Sequence, residues 1–313
     1  MKNKIKKYSL FAVFIVIFLL LISLPSYASG YRVIFVTNIL MYVVLTLSWV
    51  IFSGPTGYIS LATAAFFGVG VYTSAVLSSS LPLPLVILIG GFSSFSLAFV
   101  VGSLTLRLRG MYFTMFTFAL VQLISNFAHW YEVNITGTVG RLVLALDSVI
   151  IYYSILVVFC LVLLISYLIK HSKYGLALQS IGESEEAAAH SGINVTLVKV
   201  TTFAISAFFM GAVGAVMTMR WTYVDPPTAF DIRLSFMPLL MAIFGGMGNL
   251  FSPVIGSSIF AYLEEILTTK FPYYYMLLFG GAMLLVIAFM PHGLDGVIER
   301  WRKKTGTKSV EKT

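Results

Sequence analysis

The chain is poor in the residues that soluble enzymes rely on. One cysteine in 313 residues, Cys160, excludes a disulfide framework, and its place inside an apolar run makes it a small packing or lipid-facing side chain. Charged residues make up 10% of the chain against 59% apolar, with mean hydropathy +0.95, which excludes an ordinary soluble domain. The four histidines (His129, His171, His190, His292) fall at loops or span ends, with neither HExxH nor Cys/His ligand spacing, so no metal site is expected. No Gly-x4-Gly-Lys-Ser/Thr loop occurs; Gly306-Thr-Lys-Ser309 has only a superficial likeness to one. No catalytic constellation is visible. The span interiors also lack Asp, Glu, Lys and Arg at mid-membrane, where ion-coupled carriers bind the driving ion. Glu264 and Glu265 fall near the end of a broken segment. This argues against a proton-coupled carrier, while a sodium site built from carbonyls stays open.

What the chain does have is apolar length. Runs long enough to cross a bilayer lie near 9–24, 33–52, 85–106, 111–128, 148–169, 199–219 and 273–290. Two further regions are interrupted: 53–78, behind Ser53-Gly54-Pro55-Thr56-Gly57, and 234–267, broken by Gly245-Gly246-Met247-Gly248-Asn249 and Pro253. The reading is one all-α polytopic membrane domain over 1–313 with about ten spans, or eight if both interrupted regions are re-entrant. Lys2, Lys4, Lys6 and Lys7 at one end, and the basic residues of 299–313 at the other, hold the excess positive charge; bases and acids between them cancel. That is a membrane-orientation signal and not a nucleic-acid footprint: both ends belong in the cytoplasm, with an even number of spans. The run 9–24 followed by Ser26-Tyr27-Ala28 has the form of a signal peptide or of a short first span; the retained span is the reading adopted. Parity makes 170–198 a cytoplasmic loop.

The interrupted regions resemble each other. Gly54-x-x-Gly57 precedes small residues ending at Tyr72, and Gly245-x-x-Gly248 precedes others ending at Tyr262. Discontinuous helices in corresponding halves mark transport pathways, which makes Gly54, Gly57, Gly245, Gly246 and Gly248 pathway candidates. Close helix packing is the competing explanation for each glycine. The polar residues at depth are neutral, among them Asn38, and one span carries Thr114, Thr117, Gln122 and Asn126. Such a stripe faces a pathway or bonds helix to helix; both readings stand.

The loop 173–192 is a polar island. Ser180 and Glu183 have capping-box spacing, Glu183, Glu185 and Glu186 are placed in a first turn, Ala187–Ala189 follow, and Gly192 stands where a helix stops. A short, stiff, acidic helix over 183–191 is a docking surface.

Here the residues match a family. Glu186-Ala187-Ala188-x-x-x-Gly192 resembles the EAA-x3-G motif of ABC importer permeases, and Lys173-Tyr-Gly-Leu-Ala-Leu-Gln-Ser-Ile-Gly182 resembles the approach segment of their branched-chain amino acid (LivM-type) members. Gly57-Tyr-Ile-Ser-Leu-Ala-Thr-Ala-Ala-Phe-Phe-Gly-Val-Gly-Val-Tyr72, Leu108-Arg-Gly-Met-Tyr-Phe113, Thr136-Gly-Thr-Val-Gly140 and Gly245–Gly256 match further stretches. Ala62-Thr63 in place of Gly-Gln, Thr138 in place of glycine and the inserted Arg141 depart from the pattern, and put cargo identity in question. The resemblance implies an ABC importer permease fold in the bacterial or archaeal inner membrane. It also implies an ATPase-coupling helix at Glu183, Glu185, Glu186, Ala187, Ala188 and Gly192. The implied partners are a second permease, two ABC ATPase subunits that bind ATP and Mg, and an extracytoplasmic substrate-binding protein, with no cofactor in this chain. Branched-chain or other hydrophobic amino acids are the expected cargo, with urea and short amides as alternatives. An ion-coupled secondary transporter is the main competing class, and a passive channel the third.

Overall fold

The computed structural model describes residues 19–108 and 110–274, with Leu277, Gly280 and Gly281. Most of the spans expected at 9–24 and 273–290, the basic tails and Arg109 lie outside the described residues. Helical residues 19–27 are followed by α1 (Gly30–Thr56), α2 (Thr63–Leu77), α3 (Leu83–Thr105) and α4 (Met111–Tyr131), which continues into a π turn (Glu132–Thr136). A two-residue strand β1 (Arg141–Leu142) precedes α5 (Ser148–Lys170). The polar island forms α6 (Lys173–Glu183) and α7 (Glu185–His190), and α8 (Val195–Thr218) returns to β2 (Tyr223–Val224). The single turn α9 (Pro226–Ala229), α10 (Arg233–Gly245) and α11 (Ser252–Lys270) complete the described order. Among the described residues six helical stretches are long and apolar enough to cross a membrane, with Thr63–Leu77 a shorter apolar helix.

Punctuation in the sequence explains the boundaries. Asp147 caps α5 by accepting from the Val149 N–H at 3.3 Å. Pro253 does not break its region but starts α11, where a missing N–H costs nothing. Likewise Ser53-Gly54-Pro55 does not interrupt α1: the proline falls in the last turn, and the helix ends only at Gly57, in left-handed geometry at φ 71°. The true break is the non-helical stretch 57–62.

The middle of the bundle is built on small residues. A Cβ on Gly70 of α2 would stand 2.0 Å from the Gly211 carbonyl oxygen of α8, and one on Gly214 would stand 2.1 Å from the Phe67 oxygen. Gly211 in turn faces Ser94 of α3. Such close approach is how helices associate where lipid removes the hydrophobic drive. Below it, Phe203 packs its ring 5.0 Å from Phe52, 5.3 Å from Phe66 and 5.9 Å from Phe113.

The elements fix which segments run the full length. The α4–α5 and α8–α9 connections meet in the antiparallel β1–β2 pair, Arg141 opposite Val224, so they mark one end of the bundle. The α6–α7 loop marks the other. Tyr58 bonds Glu185 at the loop end, while Tyr72 stacks on Phe230 at 5.7 Å at the strand end, so 57–77 runs from end to end. Lys170 donates to the Gly248 carbonyl at 2.7 Å, holding the 246–251 turn at the loop end, while Tyr262 meets Phe35 near the start of α1. Both interrupted regions therefore run through the bundle instead of folding back. Among the described residues eight segments do so, and the two remaining expected spans lie mostly outside the described residues.

Candidate coupling site

The polar island is two helices, not one. After α5, Ser172 caps α6. One residue, Ser184, then leaves helical geometry (φ −160°, ψ 114°) and its side chain accepts from the Ala187 N–H at 3.3 Å. Ser184 is thus the cap of α7. Ser180 instead lies inside α6 and donates to the Leu176 carbonyl, and Glu183 is the last residue of α6 and not part of the acidic first turn. The capping-box spacing matched a serine four residues too early, because side-chain pattern does not reveal a one-residue excursion. The first-turn acids are Glu185 and Glu186.

The end of α7 is a Schellman motif. Gly192 takes φ +84°, its N–H reaches the Ala189 carbonyl at 3.0 Å, and the Ile193 N–H reaches the Ala188 carbonyl at 3.1 Å. Ile193 also packs by the buried Ala188, in a small core with Leu178, Ile181 and Val198. Ala188 therefore faces inward and anchors the helix, while Glu186, Ala187 and Ala189 lie on its exposed side. Gly182 brings α6 against α1: a Cβ there would stand 2.1 Å from the Pro55 carbonyl oxygen. Tyr174 is bonded to Thr201 of α8, and burial pushes its hydroxyl pKa upward.

Glu185 turns inward to a charge absent from the sequence reading. Lys199, its side chain 4% exposed, donates to Glu185 Oε1 at 2.8 Å, to the Leu106 carbonyl at 3.0 Å and to Tyr58 Oη at 3.2 Å. Tyr58 donates to the same carboxylate oxygen at 2.6 Å, and Lys199 Nζ sits 4.7 Å from the centre of its ring. The buried ammonium is paired, hydrogen-bonded and placed over an aromatic face, as a buried charge requires. An apolar run with one lysine in its first turns reads as a span edge, so only the neighbouring folds disclose Lys199.

Tyr58 is the second residue of the non-helical stretch, whose freed backbone is bonded from α1 and α4, while Ser235 of α10 serves the first turn of α2. The Trp49 indole donates to the Ser60 carbonyl at 2.7 Å, and Thr114 donates to the Ile59 carbonyl at 2.9 Å. The Leu61 N–H reaches Thr117 Oγ1 at 3.0 Å, and the Ala64 N–H reaches Ser235 Oγ at 3.2 Å. These partners explain Thr114 and Thr117, and bring in Trp49 and Ser235, which sequence reasoning missed. Gln122 and Asn126 differ: both lie on the exposed face of α4, and no hydrogen bond within the described chain engages either side chain.

The candidate residues converge unevenly. A cleft of about 710 Å³ brings Gly57 and Thr114 together with Glu183, Glu185 and Glu186. A second, of about 370 Å³, joins Gly54 and Gly248 beside Lys170, Gln179 and Glu183. Gly245 is a packing glycine: a Cβ on Gly256 of α11 would stand 2.4 Å from its Cα. Gly246 is a turn residue at φ +89°. Among the described residues no three His, Cys, Asp or Glu side chains are grouped to hold a metal ion.

A full-length bundle, two broken segments and a capped acidic helix held against one of them agree with what comparison finds. The profile of the branched-chain amino acid transport system permease component matches residues 31–288. The chain belongs to this family. This permease is 26% identical over 320 residues to the high-affinity branched-chain amino acid transport system permease protein LivM of Salmonella typhimurium, covering 86% of this chain and 71% of that one. It is also 26% identical to LivM of Escherichia coli, covering 92% and 75%. A shorter stretch, 40% of each chain, is 26% identical to the ribose import permease protein RbsC of Haemophilus influenzae. No solved structure matches it.

Proposed function

We propose that this permease forms half of the translocation pathway of an ATP-driven importer in the cytoplasmic membrane, working with a second permease, two ATPase subunits and an external binding protein. The α6–α7 end is assigned to the cytoplasm, a reading supported by the basic residues near both ends of the sequence. Partner ATPases receive the exposed side of α7, and their closure on ATP moves that helix. The observation that carries this reading is the build of α7: six residues, capped at both ends, seated on its own small core, with Glu186, Ala187 and Ala189 turned outward. A helix this short is marginal by itself, so its supports mark it as a rigid contact. Branched-chain or other hydrophobic amino acids are the cargo, supported by the two LivM relatives over most of the chain.

The test uses the permease co-expressed with its ATPase subunits, Cys160 replaced by alanine and a cysteine placed at exposed Ala189. A crosslink to the ATPase that changes with bound nucleotide is expected. No crosslink in a properly inserted complex overturns the coupling reading. Uptake of labelled leucine against labelled ribose in the same vesicles decides the cargo.

A further inference from the structure

We propose that Lys199 is the positioning residue that carries movement of α7 into the non-helical stretch 57–62, through the Glu185–Lys199–Tyr58 contact. This rests on the coupling reading above and adds to it the route by which force reaches the bundle. The three groups come from three places in the sequence: the first residue of α7, the second turn of α8 and the residue after the α1 cap. One carboxylate oxygen of Glu185 accepts from both others, at 2.8 Å and 2.6 Å, so a displacement of that oxygen is felt by both donors. Lys199 adds a third anchor at the Leu106 carbonyl, at the end of α3.

Below the triad, the chain is arranged to follow Tyr58. Its ring packs 5.4 Å from Phe113 and 6.4 Å from Phe52, both in contact with Phe203, one turn beyond Lys199 on α8. The stretch it belongs to has no internal helix ladder to hold it. Its backbone is pinned by single side-chain bonds from Trp49, Thr114 and Thr117, and Ser235 holds the Ala64 N–H in the first turn of α2 just beyond it. A side-chain-bonded, non-helical segment joined to a capped helix by a buried ion pair is an element through which a small shift of that helix reaches the packing around it. The contact acts by position only: no proton is transferred and no bond is made.

The experiment compares Lys199→Met, Glu185→Gln and Tyr58→Phe in the complete complex, each measured for uptake per ATP hydrolysed. A cysteine at Ile59, 44% exposed, adds a second readout, with Cys160 replaced. In the unaltered triad its reaction rate with a small aqueous thiol reagent changes at least fivefold between nucleotide-free and ATP-trapped states. In the variants that response is lost and uptake per ATP falls tenfold or more, with ATP hydrolysis within twofold. Lys199→Arg retains both signals within threefold. If Lys199→Met fails to assemble, the milder Glu185→Gln and Tyr58→Phe decide. Assembled variants that keep uptake per ATP and the Ile59 response overturn the proposal. An intact triad whose Ala189 cysteine never crosslinks to the ATPase overturns the coupling reading instead.

Discussion

Gly70 of α2 lies flat against the carbonyl of Gly211 of α8; an added Cβ would stand 2.0 Å from that oxygen. The contact is backbone on backbone, so no side chain is available to turn aside. Gly70→Ala is expected to destabilise the solubilised protein by about 1–3 kcal/mol, the range for overpacked cores. Gly30→Ala, with open space around its Cβ, is the control and should not destabilise it. Thermal unfolding in detergent reads both. Equal melting temperatures would show that α2 and α8 yield more easily than the geometry implies.

Gly192 poses the opposite problem. Its Cβ position is empty, yet its φ of +84° is one that L side chains rarely adopt. Gly192→Ala is expected to cost about 1–2 kcal/mol in local stability, from the backbone alone. Gly192→Asn should cost less. Hydrogen exchange at the amides of Ile193 and Gly192 measures the effect directly, since both close the Schellman motif.

Thr117 holds the buried Leu61 N–H. Thr117→Val removes the acceptor at nearly constant shape and should destabilise by about 1–3 kcal/mol, the penalty for an unsatisfied buried donor. Thr117→Ser should restore most of it. An unchanged melting temperature for Thr117→Val would mean that the stretch 57–62 finds another partner at no cost.

Gln122 and Asn126 test the face of α4 turned away from the rest of the chain. Replacing either with leucine should alter stability by no more than about 0.5 kcal/mol, as is usual for exposed positions. Cargo uptake by the assembled complex should nonetheless fall if this face lines the pathway between two permeases. Normal uptake by both variants would remove them from it.

Much of the fold was open to sequence reading because lipid imposes simple rules. Twenty-residue apolar runs and the basic residues between them locate most spans and leave their number at ten or eight, because pattern alone does not separate a crossing from a fold-back at 53–78 and 234–267. Gly192 was readable as a stop because one residue type serves that geometry. Other features depend on neighbours far along the chain. Ser180 and Ser184 are equally good caps on paper, and only the bend at Ser184 separates them. Thr114 and Thr117 stand out in sequence as polar residues of a span, but their partners are the backbone atoms of Ile59 and Leu61, which no side-chain pattern announces. Lys199 was invisible for a similar reason. A lysine early in an apolar run is ordinarily drawn to the headgroups, and its burial follows only from Glu185 and Tyr58 arriving from elsewhere. Glycines, finally, look alike in sequence: Gly245 packs, Gly246 turns and Gly54 borders a cleft.

The build of α8 has a mechanical consequence. It is 24 residues long, about 36 Å at 1.5 Å per residue, and gripped by α2 and α3 from Phe203 to Ala215. One end carries Lys199 and shares a core with α7; the other runs into β2, which is paired with β1. Backbone-close contacts over that length leave it little room to slide past α2 and α3. One rod therefore ties the small core under α7 to the β1–β2 pair, so a single helix sets the two ends of the bundle relative to each other.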